Sequence, residues 1–163
     1  MIKKVLMLGV VVIVMFSLGA CGNKYNAIMY SDTKDWINEE FLKENLIRGS
    51  HYLEDGEIMV ADESYPEFLT FIINTQEDFD SKFMEFPPTI NFEKEMLLVY
   101  IFTTTNSNTY KISEISLDDK ILNINFKAEK SKGMSDNLTS PIQKCLIVKA
   151  DKMEITTANF TKV

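Results

Sequence analysis

Few side chains in this sequence combine the type and spacing that chemistry requires. The two thiols, Cys21 and Cys145, lie far apart, and the single histidine, His51, directly follows Ser50. Adjacent Ser and His cannot easily present a nucleophile to its base, so His51 reads as a solvated residue near a turn, with Asp55 and Glu57 as further neighbours. Cys145 stands in the apolar run Cys145-Leu146-Ile147-Val148 and reads as a small buried hydrophobe. A catalytic thiolate there would need a base or cation beside it, and the sequence offers only Lys144 and His51. Carboxylates are plentiful at Glu54, Asp55, Glu57, Asp62 and Glu63, and again at Glu77, Asp78 and Asp80. None has the alternating oxygen spacing with glycine that a calcium loop needs, and a solvated acidic face is the simpler reading. No Gly-x-Ser-x-Gly elbow, His-Glu-x-x-His, phosphate-binding glycine loop or Cys-x-x-Cys occurs. The expectation is no catalytic residue, no metal and no cofactor. A pair of acids arranged for hydrolysis stays open, because the fold sets their separation.

Cys21 is the exception. A basic Met1 to Lys4 leads into the apolar run Val5 to Phe16, and Leu18-Gly19-Ala20 precede the cysteine. A charged start, an apolar segment and small residues before a cleavage point are what export requires. With the cysteine directly after Gly19-Ala20, the segment resembles a bacterial lipoprotein signal. The resemblance implies diacylglycerol on the Cys21 thiol and cleavage between Ala20 and Cys21. The apolar stretch Val5 to Ala20 is shorter than the roughly 20 residues a spanning helix needs. The expected location is the extracytoplasmic face of the cell membrane, held by lipid alone.

Loss of residues 1–20 would remove two lysines and no acid, moving the formal charge from −7 to −9 over 143 residues. An acidic chain lacks the clustered Lys and Arg that nucleic acid or anionic headgroups demand, so the membrane contact falls to the lipid and no nucleic-acid partner is expected. The length fits one domain, and with Cys21 acylated no internal disulfide is available to hold it.

The elements that position these groups follow from periodicity. Residues 21–34 are polar without a sustained period and read as a tether before a single domain at 35–163. Ile37 with Phe41, and Leu42 with Leu46, predict a helix over 35–47 capped by Asp32 or Thr33. Residues 52–57 read as a turn before a strand at Glu57 to Ala61, with a further strand at Phe68 to Ile73. Thr75 caps a second helix that Pro87-Pro88 ends. Met96 to Phe102 has the composition of a strand buried on both faces. Tyr110 to Leu117 and Ile121 to Ala128 form a hairpin around Asp118-Asp119-Lys120. A polar loop, Glu129 to Pro141, precedes strands at Ile142 to Ala150 and Met153 to Thr157. The fold class is α+β: a mostly antiparallel sheet or small β-sandwich with one or two short helices packed on it.

From Phe71 onward the sequence resembles the C-terminal domain of the PrcB family, named for a protease-complex subunit. The resemblance rests on Gln76-Glu77, Asn91-Phe92 before the long apolar strand, Tyr110, Thr139-Ser140-Pro141 and Val148-Lys149. It spans 71–163 and implies an accessory, protein-binding role without catalytic residues. The family's glycines before the hairpin tyrosine are replaced here by Thr105-Asn106-Ser107-Asn108-Thr109. Two polar segments, Thr103 to Thr109 and Ser131 to Ser140, are candidate recognition loops, with Asn106, Asn108, Tyr110, Asn137 and Thr139 as contact residues. Exposed members of the aromatic set Trp36, Phe41, Tyr52, Tyr65 and Phe68 could anchor a partner as well. The expected function is a non-enzymatic protein-binding module, and the resemblance implies an association with a protease or envelope complex. The alternative is a lipoprotein that holds a small ligand beside the membrane.

Overall fold

A computed structural model describes residues 25–31, 33–129, 138 and 140–163. Cys21, Asn137 and Thr139 therefore lie outside the described residues. The elements run β1 (Ala27–Tyr30), a 3-10 turn (Lys34–Trp36), α1 (Glu39–Glu44), β2 (His51–Glu54), β3 (Glu57–Val60), β4 (Phe68–Ile73), α2 (Gln76–Lys82), β5 (Glu95–Thr104), β6 (Thr109–Asp118), β7 (Ile121–Glu129), β8 (Ile142–Asp151) and β9 (Thr157–Lys162). A four-stranded antiparallel sheet in the order β1-β8-β5-β4 is the middle layer, and a three-stranded sheet β6-β7-β9 covers one face. The helices cover the other. This is the expected α+β architecture, mostly antiparallel with two short helices. No helix among the described residues is long and apolar enough to cross a membrane.

The layering explains why the central strands read as unbroken apolar runs. Leu97, Val99 and Ile101 of β5, with Cys145 and Ile147 of β8, pack under the helices against Ile37, Leu42, Ile47 and Phe83. The alternate residues Met96, Leu98, Val148 and Ala150 face Ile115, Leu122, Ile124 and Ala158 of the second sheet. Period-two alternation with both faces buried leaves no polar position. β7, the central strand of the covering sheet, keeps one face wet and alternates, with Leu122, Ile124 and Phe126 inward and Asn123 and Asn125 between them.

Several expectations are corrected. The tether ends early, because Ala27–Tyr30 pairs along β8 from Ala27 opposite Ala150 to Tyr30 opposite Ile147. Two of its apolar residues pack on opposite faces of an edge strand, Met29 against the second sheet's clusters and Tyr30 against the helical one. Thr33 is buried and caps no helix; its Oγ1 donates to the Cys145 carbonyl at 2.9 Å. The helix expected over 35–47 shortens to α1, whose cap is Asn38, with Oδ1 accepting from the Glu40 amide. Ile37 instead bridges to Phe83, where α2 has already stopped ahead of the prolines. Thr75 does cap α2, its Oγ1 accepting from the Asp78 amide at 3.1 Å.

Residues 52–57 are not a bare turn. His51–Glu54 and Glu57–Val60 form a two-residue hairpin around Asp55-Gly56, whose φ values of 50° and 85° suit a type I′ turn. The last strand lies later than Met153 to Thr157: β9 begins at Thr157 and runs parallel to β7. Ile155 and Met153 pack against the second cluster in the connection that carries the chain from one sheet to the other.

Candidate functional site

The middle sheet has two unlike ends. At one, β1 starts beside Ala150, and Asn26 donates to the Asp151 carboxylate. Lys149 Nζ meets Glu95 there at 2.9 Å, while the Asn91 amide donates to the other carboxylate oxygen at 2.8 Å. These donors, Lys149 first, hold the Glu95 carboxyl below its ordinary value. Any N-terminal anchor enters the domain at this end.

The other end is about 30 Å away, the rise of a ten-residue strand. There β5 finishes at Thr104 opposite the first residue of β8, Ile142. Thr103 Oγ1 donates to the Arg48 carbonyl at 2.8 Å, which fastens the connection after α1 to the sheet. Gly49 suits this approach: its φ of 79° favours glycine, and a Cβ there would make a tight 3.2 Å contact with Thr103 Oγ1. From that anchorage the β2–β3 hairpin projects as a separate two-stranded sheet.

The hairpin's register places His51, Leu53, Ile58 and Val60 on one face, since His51 pairs with Val60 and Leu53 with Ile58. That face is open to solvent, with Leu53 75 % and Ile58 73 % exposed. The opposite face is tied down by Tyr52, whose ring lies 6.4 Å from Tyr65. The two-residue turn makes Glu54 and Glu57 a hydrogen-bonded pair, so by alternation the main-chain groups of Leu53, Ile58, His51 and Val60 point outward along unpaired edges. Acids flank the hairpin in sequence: Asp55 in its turn, Glu54 and Glu57 beside the turn on the Tyr52 face, and Asp62 and Glu63 past its base. Ser64 binds Asp62 through both its hydroxyl and its amide, at 2.6 and 2.9 Å, keeping that carboxyl ionised below the usual range.

The contact residues expected from sequence divide. Asn106 and Asn108 lie at this same end, in the β5–β6 connection, where the Asn106 amide donates to Thr104 Oγ1. Leu138 joins them, its amide donating to the Thr105 carbonyl. Tyr110 is not a contact residue: it is 4 % exposed and packs with Phe102 and Phe126 between the sheets. Its aromatic character serves the core, which sequence alternation alone did not separate from recognition. Of the aromatics, Phe68 is half exposed at the hairpin end, near Tyr100, while Trp36 and Phe41 pack against the helical core. Leu53, Ile58 and Val60 were missed, although Asp-Gly between short apolar stretches is a hairpin signal.

The chemical candidates also find places. The Cys145 thiol is buried, and that burial pushes its pKa up to about 12, which makes it a poor nucleophile. No three His, Cys, Asp or Glu side chains among the described residues converge as a metal site would require. Comparison with family models, curated proteins and solved structures gives no match.

Proposed function

We propose that this chain is a non-enzymatic, lipid-anchored module on the extracytoplasmic face of the cell membrane that binds a protein partner through the β2–β3 hairpin. The observation that carries the binding half is the exposed apolar face of Leu53, Ile58 and Val60 on a hairpin whose outer edges pair with no further strand among the described residues. Soluble surfaces usually suppress such a combination, because free edges and apolar side chains recruit other strands. The chemistry favours an extended partner segment that adds to the hairpin edge, with apolar side chains over Leu53 and Ile58 and basic residues toward the flanking acids.

The anchoring half rests on the lipoprotein-like signal. Tyr25 already packs in the second cluster, four residues after Cys21, so even a fully extended link spans about 14 Å. The hairpin end of the sheet then faces away from the bilayer, toward envelope proteins. Two acyl chains give the double attachment that a single chain lacks. The PrcB-like pattern supports an accessory role beside a protease or envelope complex.

Two experiments test the halves separately. Cys21→Ser should abolish incorporation of radiolabelled palmitate, and persistent labelling would remove the anchor. Crosslinking on intact membranes with mass spectrometry should capture one protein reproducibly, and Leu53→Asp with Ile58→Asp should lose it. Capture of only this chain would replace the partner with a second copy; capture unaffected by the double variant would reject the hairpin.

A further inference from the structure

Four edges bound the two larger sheets, and three carry the devices that keep an edge from recruiting another strand. β1 has only four residues, β6 holds Lys111 and Glu114 with a break in register between Ile112 and Glu114, and β9 ends on Lys162. β4 has none of these. Its six residues, Phe68-Leu69-Thr70-Phe71-Ile72-Ile73, include no charge, proline or glycine, and its register with β5 is unbroken. Among the described residues its main chain bonds to β5 alone, which leaves the outer side of the strand unpaired. Phe68 is 49 % exposed and Leu69 to Ile72 are half-buried, whereas Ile73 is closed.

From this edge we infer that two copies of the chain pair antiparallel along β4, about a two-fold axis at Thr70, into one eight-stranded sheet. The accessible stretch is centred on Thr70 and complements its own reverse. Pairing about that centre sets Thr70 opposite Thr70, Phe68 opposite Ile72 and Leu69 opposite Phe71 of the second copy, the aromatic–aliphatic and Thr–Thr pairs that stabilise strands. The faces agree as well. Phe68 and Ile72 lie toward the three-stranded sheet, and Leu69 and Phe71 toward the helices. Charge follows the same register: exposed Glu67 falls opposite Ile73 of the second copy, one residue from Asn74, whose carbonyl holds the Lys152 ammonium at 3.3 Å. Each copy thus brings an acid toward a lysine of the other. A strand of different sequence meets the same edge without this match.

A five-residue pair is small beside the roughly 1,200–2,000 Å² of a stable soluble interface, so association relies on anchors that confine both copies to one surface. That part rests on the lipid anchor proposed above; the pairing itself rests on neither the hairpin nor its partner. With the axis normal to the sheet, both anchors reach one bilayer when the sheet lies along it, since a link of about 14 Å spans the roughly 10 Å layer beneath. A single copy stands with its hairpin outward, and a pair lies flat.

The test is Thr70→Cys in the full chain on intact membranes, oxidised with copper-phenanthroline, with the unaltered chain as the blank. Opposed Cα atoms in an antiparallel pair are about 4.5–5.5 Å apart, within disulfide range, so a disulfide-linked dimer should form. Ile28→Cys, with an equally accessible position on another edge, should give at least tenfold less. Adding Phe68→Lys to Thr70→Cys should cut the dimer at least tenfold, and adding Leu53→Asp should leave it unchanged. Membrane fractionation of the same samples reports the anchor separately. A position-70 thiol that a maleimide labels but oxidation does not dimerise would overturn the pairing. Equal dimer from Ile28→Cys, or dimer unmoved by Phe68→Lys, would overturn it too.

Discussion

Replacing Tyr30 by alanine separates a chain that is domain from residue 27 onward from one that is tether until residue 34. Tyr30 sits on β1 opposite Ile147, half-buried against the helical core. Its ring meets Trp36 edge-on at 6.0 Å and Phe86 at 5.6 Å. Each such aromatic pair contributes about 0.5–1.5 kcal/mol beyond burial. Full truncation of a buried aromatic costs about 3–5 kcal/mol, so a half-buried one with two ring partners should cost about 2–3 kcal/mol. For a domain of this size that corresponds to a melting temperature lower by about 10 °C. Ile28 is the internal control: it lies on the same strand with its side chain 54 % exposed, and Ile28→Ala should stay within about 0.5 kcal/mol. Urea unfolding followed by Trp36 fluorescence reads both. Equal, negligible effects for Tyr30→Ala and Ile28→Ala would refute the docking of β1 and return the segment to a tether.

Three further outcomes follow from local geometry. The Cys145 thiol, pushed up to about 12 by burial, should resist a maleimide at pH 7.5 in the native protein and react only at the rate of global unfolding; prompt labelling would contradict its burial. Glu95→Gln should cost about 1 kcal/mol at neutral pH. Because the folded Glu95 pKa is depressed, its contribution is present above the unfolded value of about 4.3 and lost as pH falls through the lower folded value, so the variant should have a flatter acid limb in a stability-versus-pH series. Thr75→Ala should destabilise by about 1 kcal/mol through loss of the α2 cap, whereas Thr75→Ser should largely retain it, both measured by urea midpoint.

What was legible in the sequence was whatever a local pattern encodes. Phe68–Ile73 and the Thr75 cap were readable because an apolar strand and a capping threonine declare themselves over a few residues. The double burial of Met96 to Phe102 was visible in its lack of polar positions. The β1 strand was not, because four residues of an edge strand carry too little alternation, and only β8 across the sheet reveals which way Met29 and Tyr30 face. The parallel pairing of β9 with β7 was hidden for the same reason: it joins residues separated by a strand that belongs to another sheet. Tyr110 was misjudged because a tyrosine next to a polar loop has the composition of a contact residue, and its burial depends on Phe102 and Phe126 arriving from two other strands. The binding face showed the opposite failure. Leu53 and Ile58 are ordinary strand residues in sequence, and only the absence of a covering layer makes them exposed.

The central claim is that the hairpin end, and not the anchor end, meets another protein. A photo-crosslinking amino acid placed at position 53 or at position 28, in the otherwise unaltered chain on intact membranes, tests it most directly. Both residues are exposed; position 28 lies on β1 at the anchor end of the four-stranded sheet, and position 53 on the separate hairpin that projects from its other end. Position 53 should yield one discrete protein adduct and position 28 none or lipid alone. An adduct from position 28 with position 53 silent would contradict the account.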